Sequence, residues 1–180
     1  MMLEPLQPGE NDPLHKLFRG LVEQVFQVDI GICDTEVTDY LGRLLSEFVH
    51  VDRIYALRTV DGEVIRELSR MEAEAVLGPD IAPVQRRRLV YKYMGDFTLF
   101  WTGVYPEHLR PRGRRRLDDF GPFVQQGKRS YVIASELTGP EDLPPAAVLR
   151  ALSENFEFCV HGLQLVRTSW ERAAREHREN

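Results

Sequence analysis

The sequence predicts an all-α fold, a single-domain bundle of about six helices with a long C-terminal helix. Every long apolar segment of the 180-residue chain has helical spacing. Pro, Gly and Asp stand at the segment boundaries, where they begin and end helices. Hydrophobic residues form 43% of the chain, which is enough for a sizeable core. We expect a flexible lead-in over residues 1–11 and one helical domain over residues 12–180.

The first two helices are predicted from their ends. Asp12 and Pro13 fit the N-cap and first position of a helix that Gly31 ends. Asp34 or Thr35 fits the N-cap of the next helix. Spacings of three and four give each helix one apolar stripe. The stripes are Leu14, Leu17, Phe18, Leu21, Val25 and Val28, then Val37, Tyr40, Leu41, Leu44, Phe48 and Val51.

Residues 54–65 allow two interpretations. Asp61-Gly62 between two apolar runs is typical of a hairpin turn. The runs do not alternate cleanly and their surroundings are helical, so we favour a turn between helices. A helix over 63–77 that ends at Gly78 would follow, and a short hairpin at 54–65 is the alternative.

The 83–104 segment is predicted to be the central helix. Pro83 fits its first turn, and Pro106 lies beyond its end. Its apolar face is too wide for a surface helix, so we expect the helix to be well buried. This face comprises Val90, Tyr93, Phe97, Phe100 and Val104, widened by Leu89, Met94 and Trp101.

Two further helices follow, separated by a TGPEDLPP linker. The first has the stripe Leu117, Phe120, Val124, Gly127, Tyr131 and Ala134. The last is predicted over 145–177, because its apolar residues alternate at three and four, as in lengthwise helix packing. Its polar end should project into solvent, and it offers a route to a homo-oligomer. Its seam is Leu149, Leu152, Phe156, Cys159, Leu163, Val166 and Trp170.

Composition excludes several classes of protein. No apolar run approaches the roughly 18 residues of a membrane helix. The N-terminus lacks the basic start and apolar region of a secretory signal. Cys33 and Cys159 form neither a metal-ligand pattern nor a disulfide framework. We therefore expect a cytoplasmic protein with reduced thiols, no cofactor and no membrane contact.

Charge is distributed unevenly along the chain, whose net charge is −5. Residues 80–130 carry eleven Lys and Arg against five Asp and Glu, which gives +6 there and −11 elsewhere. The basic residues can engage an acidic protein surface or phosphates. No nucleic-acid-binding motif is present, so nucleic acid is the weaker alternative. The loop arginines are Arg110, Arg112, Arg114, Arg115 and Arg116, and Arg86, Arg87 and Arg88 form a second cluster.

Asp96 is the sharpest candidate for a functional residue, because it follows Gly95 inside the most apolar helix. A buried carboxylate needs a partner, since unpaired burial is costly. The partner is either a ligand or a structural group. Lys92, one turn back, is one structural candidate. Others, from the next helix, are Tyr131, Lys128 and Arg129.

Three glycines lie inside predicted helices, where each is unfavourable by about 1 kcal/mol relative to alanine. Close approach of two helices is the favoured explanation for Gly95, Gly103 and Gly127. Room for a ligand beside Asp96 is the alternative.

Glu47 and His50 have the ExxH spacing of carboxylate-bridged metal sites. No second ExxH exists in the chain, so we favour solvated helix faces over a metal site. The same applies to Glu154, Glu157 and His161 on the last helix.

The segment GDFTLFWTGVYPEHL, with QQGKRSYVIASEL in the next helix, resembles a family of uncharacterised bacterial helical proteins. The likeness covers the middle third of the chain and is weaker around LSENFEFCVHGL. The resemblance implies a hallmark set of residues and no activity. The set is Gly95, Asp96, Gly103, Pro106, Glu107, Gly127, Ser130 and Tyr131.

The function expected from the sequence is a non-catalytic cytoplasmic interaction or regulatory protein, because no catalytic spacing is present. Its partner would be a protein, with an acidic surface opposite the basic loop. The alternative is a small-molecule-binding protein or enzyme with a pocket around Asp96 and Tyr131. Further candidate ligand contacts are Gly103, Glu107, Lys128 and Arg129.

Overall fold

The computed structural model describes residues 12–55, 70, 84–109 and 121–179, and the side chains of all of these except 50–55 and 179. Every regular element in these ranges is helical, which confirms the all-α prediction. A π-helical segment, Val25–Ile30, continues the first helix, and a 3-10 helix, Pro106–Leu109, follows the third. The α-helices are α1 Pro13–Gln24, α2 Thr35–Tyr55, α3 Val84–Gly103, α4 Gly121–Glu136, α5 Ala146–Glu154 and α6 Phe156–Glu179.

Several predicted segments lie outside the described residues. They include the lead-in 1–11, the basic loop 110–116 and most of the ambiguous segment 54–65, of which only Ile54 and Tyr55 belong to α2. Within the predicted 63–77 helix, Arg70 is described and is helical. None of the helices described is long and apolar enough to cross a membrane.

The chain divides into two compact units, residues 1–58 with 161–180 and residues 59–160. In the first unit, α1 packs against α2. Both predicted caps form, since Asp12 accepts from the Leu14 N–H and Asp34 accepts from the Glu36 N–H. Gly31 ends the π segment with φ of 81°, a left-handed conformation that glycine adopts without strain.

The predicted stripe of the first helix is only partly correct. Phe18 and Val25 of the stripe are buried, but Leu17 is 43% exposed and Val28 is 77% exposed, whereas Phe26, which was not predicted, is fully buried. Leu17 lies beside the buried face of α1, which is formed by His15, Phe18 and Val22. The π segment is the physical reason for the exposure of Val28, because its wider turn carries an extra residue and rotates the following side chains. The face that contains Phe26 stays in the core, and Val28 moves to solvent. Gly162 of α6 packs on this core, where a Cβ would lie 2.4 Å from Cζ of Phe26.

In the second unit, α3 and α4 pack antiparallel. Contacts run in opposite order along the two helices, from Arg88 with Thr138 to Thr98 with Gly127. From Met94 to Val104 every residue of the α3 region is buried, so the predicted burial of this helix is confirmed over that stretch. Leu89, predicted in the same seam, is 56% exposed, because the first turns of α3 retain a solvent face.

The predicted last helix is interrupted, which corrects the single 145–177 element. α5 ends at Glu154 and α6 begins at Phe156, with φ −104° and ψ 23° at Asn155 between them. The Asn155 side chain and the Asn155 backbone N–H both donate to the Ala151 carbonyl at 3.0 Å, which is the kind of local side-chain bond that favours a helix end. The seam survives the break, since these residues are at most 1% exposed: Leu149, Leu152, Phe156, Cys159, Leu163 and Val166.

Candidate functional site

The candidate site forms where α3 crosses α4. Asp96 is 3% exposed. The Tyr131 hydroxyl donates a 2.8 Å hydrogen bond to Oδ1 of Asp96, and the Lys92 ammonium donates a 2.8 Å bond to Oδ2. The prediction that Asp96 is buried and paired across helices is therefore confirmed. Both carboxylate oxygens accept charge-assisted hydrogen bonds from the chain's own side chains.

Two of the interior glycines explain how the helices come close enough for this contact. A Cβ on Gly95 would lie 2.7 Å from Cδ1 and Cε1 of the Tyr131 ring. A Cβ on Gly127 would lie 2.4 Å from Cζ of Phe156 and 3.0 Å from Cγ2 of Thr98. These glycines serve helix packing, and the Tyr131 ring fills the space over Gly95 next to the carboxylate.

Lys128 and Arg129 do not join Asp96, which corrects the predicted contact set. Lys128 donates to Oε1 and Oε2 of Glu157 at 2.8 and 3.1 Å, and its ammonium lowers the pKa of that carboxyl. Arg129 is exposed. Arg129 lies two residues before Tyr131, about 160° round the helix axis, and therefore faces away from Asp96. Lys128 lies one turn before Tyr131 on the same side of α4, but its ammonium binds Glu157. Tyr131 is the α4 residue that bonds to Asp96.

Gly103 and Glu107 belong to the other end of α3. Gly103 is buried, and Glu107 is exposed in the 3-10 helix that follows. Seven helical residues separate Asp96 from Gly103, which is about 10 Å along the axis. The predicted ligand set therefore does not assemble around one point.

An aromatic cluster at this end of α3 was not predicted. The ring centroids of Trp101, Tyr105 and His108 lie 6.0, 5.5 and 5.8 Å apart, with two of the three pairs edge to face. The rings pack on one another, as aromatic pairs prefer. The cluster anchors the 3-10 helix to α3.

Arg88 is the clearest case of a residue that sequence reasoning misassigned. The sequence placed it in a basic cluster expected to engage an acidic surface or phosphates, but its side chain is 4% exposed. Its Nε donates to Oγ1 of Thr138 at 3.0 Å, and its Nη2 donates to the carbonyl of Leu143 at 2.7 Å. It also lies 3.7 Å from Oδ2 of Asp142. Arg88 therefore holds the segment between α4 and α5 against α3.

A buried pair in the first unit was also missed. Nδ1 of His15 lies 3.2 Å from Oγ of Ser46, and that hydroxyl donates to the Gly42 carbonyl at 2.9 Å. Ser46 thus contacts both the imidazole of α1 and the backbone of its own helix, and the pair pins α1 to α2.

Metal ligation finds no support in the part of the chain that the structure describes. No group of three or more His, Cys, Asp or Glu side chains there is placed to hold a metal ion. Glu154, Glu157 and His161 are exposed, and the side chain of His50 lies outside the described residues.

Two further buried groups are chemically distinctive. Cys159 is fully buried, and desolvation raises the pKa of its thiol to about 12, whereas Cys33 is exposed. Ser130 is fully buried, and among the described residues its hydroxyl has no hydrogen-bond partner. It lies next to Tyr131 on α4, within the hallmark set.

Comparison of the chain with protein-family models, with curated protein sequences and with solved structures yields no match. Its function must therefore be argued from the side chains themselves. The decisive geometry is that of Asp96, whose two oxygens and neighbouring space are occupied by groups of the protein.

Proposed function

We propose that this protein is a non-catalytic interaction or regulatory protein and that Asp96 is a structural residue. The observation that carries the proposal is that each carboxylate oxygen of Asp96 accepts a hydrogen bond from the chain itself, one from Lys92 and one from Tyr131. A ligand-facing acid also needs an adjoining space. Here the ring of Tyr131 lies against Gly95, and both oxygens already accept hydrogen bonds. The hydrogen bonds of the buried Asp96 thus stabilise the packing of α3 against α4.

The partner proposed is a protein, and an acidic surface suits the basic segment of 80–130. The location proposed is the cytoplasm, which agrees with the free thiols of Cys33 and Cys159. Self-association through the last helix is a further proposal. The exposed residues 172–178 of α6 support it, because they leave this part of the helix accessible.

A small-molecule site beside Tyr131 is the second candidate, and Ser130 is the observation that favours it. A buried hydroxyl without a hydrogen bond is unusual in a folded protein. A bound ligand or an internal water would supply the missing partner. The geometry of Asp96 ranks this function below the first.

Asp96→Asn distinguishes the two candidates. If Asp96 is structural, losing the charge that Lys92 contacts should lower the free energy of unfolding by about 1.5–3 kcal/mol. The matched control is Asp39→Asn. Asp39 pairs with Arg19 at 3.2 Å but has a 41% exposed side chain, so this change should stay within about 0.5 kcal/mol.

Urea unfolding measures both variants, and native mass spectrometry of freshly purified protein reports any bound small molecule. We expect the bare chain mass and a destabilised Asp96→Asn variant. A co-purified ligand that Asp96→Asn releases, with stability unchanged, would replace the first proposal with the second.

A further inference from the structure

The connector between α4 and α5, residues 137–145, has a backbone that is held in place from two sides. Arg88 donates to the carbonyls of Leu143 and Pro144 at 2.7 and 3.4 Å. Within the connector, Oδ2 of Asp142 accepts from the Gly139 N–H at 2.7 Å, and the Asp142 N–H donates to the Gly139 carbonyl at 3.2 Å. The connector is a fixed turn, which lowers the entropy lost when it binds something.

This fixed turn presents an apolar side chain with an acidic neighbour. Leu143 is 80% exposed, more than any other large hydrophobic side chain of the described residues. Glu141, two residues earlier, is also exposed. The Asp142 carboxylate is directed inward, 3.7 Å from Arg88. The surface of the connector therefore combines a projecting leucine with an exposed carboxylate.

A second surface in the same unit, on the outer side of α3, combines an apolar side chain with a positive charge. Leu89 is 56% exposed, and Arg86, one turn earlier, is exposed as well. Residues three apart on a helix are neighbours, so the two form one apolar and basic patch. Helical geometry places Arg86 about 160° round the axis from Arg88, which faces the connector. The two complementary surfaces therefore lie on different sides of α3.

We infer that copies of this chain associate through these surfaces, with Leu143 and Glu141 of one copy against Leu89 and Arg86 of another. The inference rests on the proposed function, for which it names a second copy as a partner. Apolar residues would meet apolar residues, and the carboxylate would meet the guanidinium. Both halves of the complementary pair are on one chain, so no second kind of protein is required.

The geometry also dictates the form of the assembly. Two different patches on different sides of one chain give a head-to-tail contact, which extends along a chain of copies unless a ring closes. The average mass should therefore keep rising with protein concentration rather than level off at a dimer. The ion pair is exposed, so raising the salt concentration should weaken the association.

Sedimentation velocity of the full chain over a concentration series tests this, at about 0.01 M and about 1 M salt, where the screening lengths differ about tenfold. We expect weaker association at high salt. Leu143→Ser, Glu141→Arg and Arg86→Glu should each lower the association constant at least several-fold at low salt. Combining Glu141→Arg with Arg86→Glu should restore it, because each reversed charge again meets its opposite.

Val132→Ser and Arg129→Glu on α4 are the matched controls, since Val132 is 40% exposed and Arg129 is exposed. They should leave association unchanged. A wild-type chain that stays monomeric throughout overturns the inference and leaves a different protein partner possible under the proposed function. Two other results would also overturn the inference, because they would place the contact elsewhere, for example on α6. One is that the control substitutions weaken association as much as Leu143→Ser does. The other is that the double charge reversal does not restore association.

Discussion

Replacing Gly127 by alanine tests the close packing of α4 on its neighbours. The added Cβ would lie 2.4 Å from Cζ and 2.6 Å from Cε2 of Phe156, and 3.0 Å from Cγ2 of Thr98. Phe156 is fully buried, so its ring has no solvent-side space to enter. Overpacking of this kind costs about 1–3 kcal/mol. The higher helix propensity of alanine offsets up to about 1 kcal/mol. We expect a net loss of about 1–2 kcal/mol.

Gly20→Ala is the matched control, because Gly20 also lies inside a helix, but a Cβ added there would meet no neighbouring atom within 4 Å. Alanine there should raise stability by about 0.5–1 kcal/mol. The two substitutions thus have opposite signs for the same chemical change. Urea unfolding followed by helical circular dichroism measures both. A Gly127→Ala variant at least as stable as the wild type would refute the packing argument.

A double-mutant cycle then identifies the contact. Phe156→Leu shortens the side chain that blocks the new methyl group. In that background the cost of Gly127→Ala should shrink, with a coupling energy of about 0.5–3 kcal/mol, the range for residues in contact. Additive effects would mean that the methyl group is resisted by something other than Phe156.

Three further predictions follow from buried and paired groups. Phe100→Ala should cost about 3–5 kcal/mol in urea unfolding, because Phe100 is fully buried, and an unchanged midpoint would contradict its place in the core. Cys33 should react quickly with a thiol reagent and Cys159 slowly in the folded protein, since burial raises the Cys159 pKa from 9.0 to about 12. The unfolded thiol ionises first, so the contribution of Cys159 to stability should fall as the pH rises from about 9 towards 12, and Cys159→Ala should remove that fall. Lys128 lowers the Glu157 pKa, so its stabilisation is present above the ordinary glutamate pKa and is lost as the pH falls through the lowered one. Lys128→Met should raise the Glu157 pKa in an NMR titration.

Local signals explain which parts of the fold were predictable. Asp12, Gly31 and Asp34 mark helix ends through interactions within a few residues, so their roles follow from the sequence. The burial of the second half of α3 was also predictable, because apolar residues cover most of its circumference there.

The errors arise where a local irregularity leaves the apolar spacing intact. Asn155 interrupts the last helix, but residues on both sides of it keep their spacing of three and four. The π segment moves Val28 to the surface, and the amino-acid composition of the segment does not indicate a π helix. Arg88 has the same sequence context as exposed Arg86, and only the folded connector supplies its three oxygen acceptors.

The hydrogen-bond partner of Asp96 was likewise only partly predictable from the sequence. The apolar neighbours of Asp96 predicted that a partner must exist, but Tyr131, Lys128 and Arg129 were all within reach of a packed α4. The rotation of α4 about its axis turns Arg129 away, and Glu157 binds Lys128. Tyr131 reaches Asp96 because Gly95 leaves room for its ring, and because Gly127 lets α4 pack closely on Phe156 and Thr98. The partner of the acid therefore depends on two glycines as well as on the charged and polar residues that could bind it.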